Sequence, residues 1–255
     1  MSNFEIGRYE RKYVVSETTA AAVRQFVSAY MAPDPYMDAA EPRGYQVHSL
    51  YLDAPHLALY RQTTEGLKNR YKLRIRFYDE STDSPAFLEI KRRVSNTLYK
   101  QRATVSKRAA EDLHCGGVLG TRDLLSATEK SVRALADFCE SQARLSASGT
   151  AFVSYWREAY VLPHAEGARV TFDRHVVSHP YEPSRGLALP QQCEVVSRNY
   201  VVLELKYMGR SPGWMKDLVN ACGLVQVSYP KYVYSVDALK LAPAMSEPPL
   251  QRMCR

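Results

Sequence analysis

Six short segments of this chain place charged residues two positions apart, and most of those residues are basic. The clearest is YKLRIRFYD (71–79), in which Lys72, Arg74 and Arg76 alternate with apolar side chains. A β-strand directs successive side chains to opposite faces, so the basic residues share one face and the apolar residues share the other. The pattern predicts strands with one basic and one apolar face.

The same alternation returns in five further segments. They are FLEIKRR (87–93), LYKQRATVS (98–106), AFVSYWREAYVL (151–162), ARVTFDRHV (168–176) and YVVLELKYM (200–208). In chain order, their charged faces carry Glu89 and Lys91, Lys100 and Arg102, Tyr155 and Arg157, Arg169 and Asp173, and Glu204 and Lys206. Six such strands could together line a site for a polyanion.

Two interpretations of this alternation stay open at this point. An antiparallel sheet with one face on a core and one face in water gives the same pattern. Solvated strand faces usually mix Thr, Ser, Lys and Glu, whereas these faces are rich in arginine, whose planar fork suits phosphate oxygens. If the sheet closes on itself, the charged face becomes the wall of an anion-binding cavity, and helices cover the apolar face.

Composition bounds the partners and the compartment. The 255 residues show no linker or composition break, which predicts one domain over residues 1–240 and a flexible tail over 241–255. The net charge of +7 favours anionic partners without distinguishing nucleic acid, phospholipid and polyphosphate.

The five scattered cysteines form no CxxC pair, which argues against a disulfide framework or zinc ribbon and predicts a cytoplasmic protein. The chain has no signal-peptide core and no apolar run near the ~20 residues of a membrane span. Any membrane contact is therefore expected to be peripheral or through a partner.

Capping and breaking residues predict the remaining elements. The expected order is a strand over 9–16, a helix over 18–31 capped by Ser16, a strand over 46–53, a helix over 55–65 capped by Asp53, a helix over 124–144, a helix over 212–221, and a strand within 224–239 followed by an end motif centred on Lys231. The charged strands fall between these helices. The sequence therefore predicts an α+β protein that is rich in strands.

Eight of these segments, taken in order, resemble the VTC-domain family, a branch of the triphosphate tunnel metalloenzymes. They are RYERKYVV, YKLRIRFY, FLEIKRR, a KxR strand, SYWREAYV, ARVTFDR, VLELKY and YPKYVYS, and they cover roughly residues 5 to 240. The resemblance implies an eight-stranded antiparallel closed tunnel with a basic lumen and helices outside. In catalytic members it implies transfer of the ATP γ-phosphate onto inorganic polyphosphate, with Mn²⁺ or Mg²⁺ as cofactor. It also suggests a small membrane-protein partner.

The resemblance also implies which residues form the site. By motif, phosphate would be bound by Lys12, Arg74, Arg76, Lys91, Lys100, Arg157, Arg169 and Lys231, and Arg74, Arg76, Lys91, Arg157 and Glu204 would be catalytic. Glu204 would be the metal ligand, and Arg102, Tyr155 and Lys206 share the same faces and are added to the phosphate-binding set. Glu10 and Glu89 stand two residues from Lys12 and Lys91, so they would either bind metal or hold those lysines by ion pairing.

Two departures from the superfamily patterns bear on the activity. Hydrolytic members carry ExExK near the N-terminus, whereas this chain has Arg8, Glu10 and Lys12 at those charged positions, which disfavours a triphosphatase. The VTC pattern KxSK is replaced by Ser228, Tyr229, Pro230 and Lys231. This second departure favours the alternative of a module that binds polyphosphate or nucleotide without turnover. RNA binding has only the basic charge in its support and is not expected.

Overall fold

The computed structural model describes residues 8–37, 43–95, 97–114, 116–163 and 167–242. The strands are β1 (Arg8–Val15), β2 (Ala32–Pro33), β3 (Tyr45–Asp53), β4 (Asn69–Phe77), β5 (Pro85–Val94), β6 (Thr97–Ser106), β7 (Ser148–Val161), β8 (Ala168–Pro180), β9 (Glu194–Val195), β10 (Val201–Met208) and β11 (Gln226–Val227). The helices are α1 (Glu17–Val27), α2 (Ala58–Thr64), α3 (Lys107–His114), α4 (Glu129–Leu145), α5 (Gly213–Ala221) and α6 (Lys231–Ala238). The predicted α+β, strand-rich class is confirmed.

All of these strands belong to one antiparallel sheet. Its order is β2-β7-β3-β4-β5-β6-β1-β10-β8-β9, β11 pairs with β1, and β7 also pairs with β8. The junction of β1 and β6 consists of one residue pair, Arg8 with Leu98. The predicted count of eight strands is corrected to eleven within the described residues. The additional strands β2, β9 and β11 have two residues each, which is too short for an alternation to appear in the sequence.

The charged side chains of neighbouring strands lie opposite one another on a single face of the sheet. Across β4, β5 and β6, Arg74 faces Glu89, which faces Arg102. This charged face is concave, because side chains from strands that are not neighbours meet on it. Lys91 Nζ of β5 lies 3.6 Å from Glu10 Oε2 of β1, although β6 separates the two strands.

The apolar face packs against helices in two cores. In the first, Leu73, Leu88 and Ala103 of the sheet lie under Leu135 and Phe138 of α4. In the second, strand residues such as Leu203 and Phe172 pack against α1 and α5. The helical cover on the apolar face agrees with the interpretation in which the charged face is turned inward.

The helix caps agree with the sequence prediction, whereas two helices were missed. Ser16 Oγ accepts a hydrogen bond from the Thr19 amide at 3.1 Å, and Asp53 accepts from the Leu59 and Tyr60 amides at 2.7 and 2.9 Å. Helix α4 begins at Glu129, five residues after the predicted start. Helices α3 and α6 were not predicted. Helix α6 reads KYVYSVDA, and its aromatic and β-branched residues favour a strand by local propensity. Residues 243–255 of the predicted tail lie outside the described residues.

Candidate phosphate-binding site

The charged face gathers basic side chains from seven strands and one helix. They are Lys12 of β1, Lys72, Arg74 and Arg76 of β4, Lys91 of β5, Lys100 and Arg102 of β6, Arg157 of β7, Arg169 of β8, Lys206 of β10 and Lys231 of α6. The carboxylates on the same strands of this face are Glu10, Glu89, Asp173 and Glu204. Among the described residues the basic groups therefore outnumber these carboxylates by more than two to one.

A first group of charges, the Glu89 cluster, consists of Glu89, Arg74, Lys100 and Arg102. The Glu89 side chain is fully buried. Its Oε2 accepts from Arg74 Nε at 2.7 Å, and its Oε1 accepts from Arg102 Nε at 2.8 Å and lies 2.6 Å from Lys100 Nζ. Burial alone raises the pKa of Glu89, but Arg74 and the other nearby cations outweigh it and hold that pKa well below its usual range. One carboxylate thus forms ion pairs with three basic side chains.

A second group, the Glu204 cluster, consists of Glu204, Asp173, Lys12, Arg157, Lys206 and Lys231. Glu204 Oε1 lies 2.9 Å from Lys231 Nζ, and its Oε2 lies 2.6 Å from Lys206 Nζ. Burial alone raises the pKa of Glu204. The nearby cations Lys206, Lys231, Lys12 and Arg157 outweigh burial and keep this pKa well below its usual range. Glu204 is therefore a carboxylate surrounded by cations.

Asp173 is the second carboxylate of that cluster. It accepts two hydrogen bonds from Arg157, from Nε and from Nη2, each at 2.7 Å. Its Oδ2 also lies 2.6 Å from Lys231 Nζ. Because α6 supplies Lys231, the cluster depends on the docking of that helix as well as on the sheet.

Lys12 connects Glu10 to the Glu204 cluster. Its Nζ lies 3.2 Å from Glu10 Oε1 and 3.3 Å from Glu204 Oε1, and it donates to the Tyr229 carbonyl oxygen at 3.1 Å. Although burial lowers the pKa of Lys12, the two carboxylates raise it above the usual range of a lysine. The space between Glu10 and Glu204 therefore favours positive charge.

Arg76 differs from the other buried arginines because its hydrogen-bond partners are neutral. Its Nε donates to Ser49 Oγ at 3.1 Å, and its Nη2 donates to Tyr155 Oη at 3.0 Å. The Tyr155 ring also lies under Arg157 and Lys231, at 5.1 and 5.0 Å from the centroid. Since no carboxylate of the described chain forms an ion pair with Arg76, its charge is available to an anionic ligand.

Arg169 shares the charged face but stands apart from both clusters. Its Nη2 donates to Asp34 and, at 2.9 Å, to Tyr45 Oη, while its buried Nε has no acceptor among the described residues. Asp34 and Tyr45 were not predicted as partners. Asp34 follows a two-residue strand, and Tyr45 begins a strand without charge alternation, so neither gave a signal in the sequence.

Tyr51 is a further residue of the charged face that sequence reasoning missed. Its Oη accepts from Arg74 Nη1 at 3.1 Å, and its ring stacks on Tyr232 of α6 with centroids 4.8 Å apart. Burial alone raises the pKa of Tyr51, but Arg74, Lys72 and neighbouring cations lower it to about 7. Strand β3 carries neutral polar residues on this face, so charge alternation did not reveal it.

The predicted metal ligands differ in how well they suit a divalent ion. The oxygens of Glu89 accept hydrogen bonds from Arg74 and Arg102, which stay charged and hold the carboxylate, so Glu89 fits ion pairing rather than metal binding. The closest contacts of Glu204 are instead the ammonium groups of Lys206 and Lys231, which a metal ion could displace. Glu10 and Glu204 already share one cation, the Lys12 ammonium, and Mg²⁺ or Mn²⁺ often needs only one or two carboxylates beside phosphate oxygens. Glu10 and Glu204 therefore fit a metal that arrives with phosphate. Within the described residues, no three His, Cys, Asp or Glu side chains come close enough to hold a metal by themselves.

The two departures from the superfamily patterns lie at the margins of the site. Arg8 is the first residue of β1, and Ser228 is exposed before α6. Pro230 is the residue before the first turn of α6, and Lys231 extends from that turn into the Glu204 cluster. The last residue of the family's final motif thus keeps its contact with the charged face.

No helix in the described part of the chain combines the length and the apolar character that crossing a membrane requires.

No curated protein matches the sequence. Among solved structures, the PH1819 protein from Pyrococcus horikoshii OT3 is 13% identical, with 91% of this chain and 98% of that chain covered and a TM-score of 0.42. The capping enzyme triphosphatase of Mimivirus is 9% identical, with 86% and 89% covered and a TM-score of 0.38. Similarity at this level supports no inference about the present chain.

The sequence as a whole gives a much clearer assignment. The family model described as VTC domain matches residues 7–240, which include every strand of the sheet and all the basic residues of the charged face from Lys12 to Lys231. This match spans well over half of the chain and confirms the resemblance seen in the ordered motifs. The chain belongs to the VTC-domain family.

Proposed function

We propose that this protein is a metal-dependent polyphosphate polymerase that transfers the γ-phosphate of ATP onto a polyphosphate chain held in a basic tunnel. The observation that carries the proposal is the charged face, where basic groups from seven strands and α6 converge and outnumber the carboxylates beside them. Two cations ~6 Å apart repel each other by roughly 3 kcal/mol at an effective dielectric near 20. An anion bound between converging basic groups removes this repulsion and is therefore favoured.

Strand pairing supports the closed form of the site. Strand β7 pairs with β3 at one edge and with β8 at the other, and β8 continues through β10 to β1. Strand β1 then contacts β6 through Arg8 and Leu98, which would complete a ring of eight strands. The polyphosphate chain would lie along the axis of this ring.

The chemistry requires positioning and charge rather than a covalent intermediate. In the transition state of phosphoryl transfer, negative charge is spread over the equatorial oxygens of the transferred group. Cations at these oxygens and in-line alignment of the attacking and leaving oxygens stabilise this state. Arg74, Arg76 and Arg157 are buried guanidinium groups that suit the γ-phosphate, and Lys91, Lys100 and Lys231 suit the acceptor chain. When bound, a divalent ion held by Glu204 and Glu10 would neutralise phosphate oxygens.

Transfer to a phosphate acceptor fits this site better than transfer to water. A hydrolase needs a group that orients or deprotonates water, but Glu10, Glu89, Asp173 and Glu204 all have lowered pKa values because basic groups surround them. Such carboxylates are weak bases. The terminal phosphate of polyphosphate is already anionic and needs no base.

The test is incubation of the purified protein with ATP, Mn²⁺ and a short polyphosphate primer, with the products resolved on a gel. Lys91→Ala and Glu204→Ala should abolish a ladder of longer chains, whereas Lys216→Ala on the exposed side of α5 should leave it intact. Orthophosphate without longer chains would instead establish a triphosphatase. Binding of polyphosphate without either product would establish a non-catalytic module.

The replaced KxSK motif allows a second test of the polymerase proposal. If Ser228 and Pro230 have reduced the activity, the double variant Ser228→Lys and Pro230→Ser should extend primers faster than the unmodified protein, by about tenfold for one regained contact to phosphate. The measurement is the initial rate of primer extension. An unchanged rate would show that these positions do not limit transfer.

A small membrane-protein partner that removes the product remains part of the proposal.

A further inference from the structure

We propose that Lys72 is an additional phosphate-binding residue, which together with Lys91 and Lys100 forms a subsite that favours long polyphosphate chains over short ones. This inference rests on the proposed function, because it assigns part of the same charged face to one segment of the ligand. Lys72 lies outside the set of positions that the family motifs indicate. Its role follows from the partners it lacks and the residues it faces.

Lys72 is the cation of the charged face for which the described residues offer no hydrogen-bond or ion-pair partner. Arg74 and Arg76, which follow it on β4, donate to Glu89 and to Ser49 and Tyr155. Within the described residues, the Lys72 ammonium forms no hydrogen bond and no ion pair. A partly buried ammonium without an acceptor is unfavourable unless a ligand or water supplies one.

The register of the sheet places three lysines in one row. Lys72 of β4 lies directly opposite Lys91 of β5, and Lys91 lies directly opposite Lys100 of β6. The neighbouring row is Arg74, Glu89 and Arg102, in which a carboxylate separates the two cations. Like charges at directly opposite positions destabilise a sheet. Lys91 and Lys100 are compensated in part by their contacts with Glu10 and Glu89, whereas Lys72 has no such contact within the described residues. Its repulsion therefore costs stability in the free protein, and an anion bound along the row would remove that cost.

The electrostatic environment of Lys72 agrees with this geometry. Its pKa is lowered to about 8, mainly by burial and also by the cations Lys12, Lys91 and Arg70, whereas Tyr51 raises it. The groups that face Lys72 are thus mainly basic. A phosphate oxygen in contact with the ammonium would reverse this balance and favour the charged form.

The dimensions of the row indicate the class of ligand. Adjacent strands are about 4.8 Å apart, so the backbone positions of the outer lysines stand about 10 Å from each other. Along β4, Lys72 stands four residues from Arg76, which is about 13 Å. A phosphate or pyrophosphate bound at Arg76 would not reach Lys72 over that distance, whereas a linear chain of several phosphates can span both. The row therefore suits an extended polyphosphate segment beyond the arginines that suit the reacting phosphate.

The experiment measures the dissociation constants of pyrophosphate and of linear medium-chain polyphosphate by calorimetry. The variants are Lys72→Met, Lys72→Arg and the control Lys216→Met, a lysine on the exposed side of α5. Lys72→Met should weaken polyphosphate binding about tenfold, as expected for one lost charged contact, and should change pyrophosphate binding less than twofold. Lys72→Arg should restore polyphosphate binding, and Lys216→Met should have no effect.

Thermal unfolding of the free variants provides a readout that a structural role would not give. Because Lys72 repels its neighbours, Lys72→Met should raise the melting temperature while it weakens polyphosphate binding. A lower melting temperature with equal loss of both ligands, or unchanged polyphosphate binding, would overturn the inference alone. Unmodified protein that binds neither ligand would overturn the proposed function and this inference with it.

Discussion

The Glu89 cluster and the Glu204 cluster both place buried carboxylates among several basic side chains, but the two clusters differ in how they are built. The Glu89 cluster uses one fully buried carboxylate for Arg74, Lys100 and Arg102, all from three consecutive strands. The Glu204 cluster uses two carboxylates, and its cations come from β1, β7, β10 and α6. The first is therefore a local feature of a three-stranded segment, whereas the second depends on how distant parts of the chain are brought together.

The largest expected effect is on stability, and it separates the two clusters. Glu89→Gln leaves three cations without their shared carboxylate, and breaking a buried ion pair from one side costs about 3–5 kcal/mol. Glu204→Gln should cost less, because Asp173 still binds Arg157 and Lys231. Denaturant unfolding of both variants measures the difference.

A matched control for these variants is Glu129→Gln. Glu129 is exposed on α4, 3.5 Å from Arg133, and its loss should change the free energy of unfolding by less than ~0.5 kcal/mol. A Glu204→Gln variant that is less stable than Glu89→Gln would contradict the view that Asp173 supports the second cluster.

The next effect is stabilisation by an added anion. Tripolyphosphate should raise the melting temperature of the unmodified protein, because it binds the folded charged face and not the unfolded chain, and the rise should shrink as salt is added. The rise should be larger for Glu89→Gln, since the ligand then takes the place of the missing carboxylate beside Arg74 and Arg102. Sodium chloride at equal ionic strength is the control. No rise at low salt would argue against an anion site.

A smaller effect is expected from pH. Folding lowers the pKa of Lys72 from 10.5 to about 8 and that of Tyr51 from 10.0 to about 7. Between pH 7 and 10.5 the unfolded chain therefore binds more protons at these two groups, so they make the free protein more stable as the pH rises. Polyphosphate affinity should fall over the same window, as Lys72 loses its charge.

Two measurements check this pair of opposite trends. Denaturant midpoints at pH 7 and 9.5 report stability, and calorimetry at the same pH values reports affinity. In Lys72→Met both trends should be weaker than in the unmodified protein. Parallel changes of stability and affinity with pH would contradict the assignment.

The contrast between the clusters also shows what the sequence could predict. Alternation along β4, β5 and β6 identified Arg74, Glu89 and Arg102 as residues of one face, because strand periodicity is a local property. The contacts of Lys231 with Asp173 and Glu204 required α6, whose strand-like composition hid a helix that its position after Pro230 and its packing on the sheet stabilise. Residues without charge, such as Ser49 and Tyr51, gave no signal because neutral polar groups are common on any exposed strand.

The smallest effect tests the dependence of the Glu204 cluster on α6. Tyr60 Oη of α2 donates to Asp237 of α6 at 2.6 Å, so Tyr60→Phe removes one hydrogen bond that holds the helix, at a cost of about 1 kcal/mol. Amide hydrogen exchange should then be faster in α6 and unchanged in β5, where Glu89 lies, because local opening reflects local contacts. The paired control is Tyr30→Phe, an exposed tyrosine on the other side of the sheet near α1. Equal acceleration in α6 and β5 would mean that the two clusters open together, and the Glu204 cluster would then owe its stability to the sheet rather than to the docking of α6.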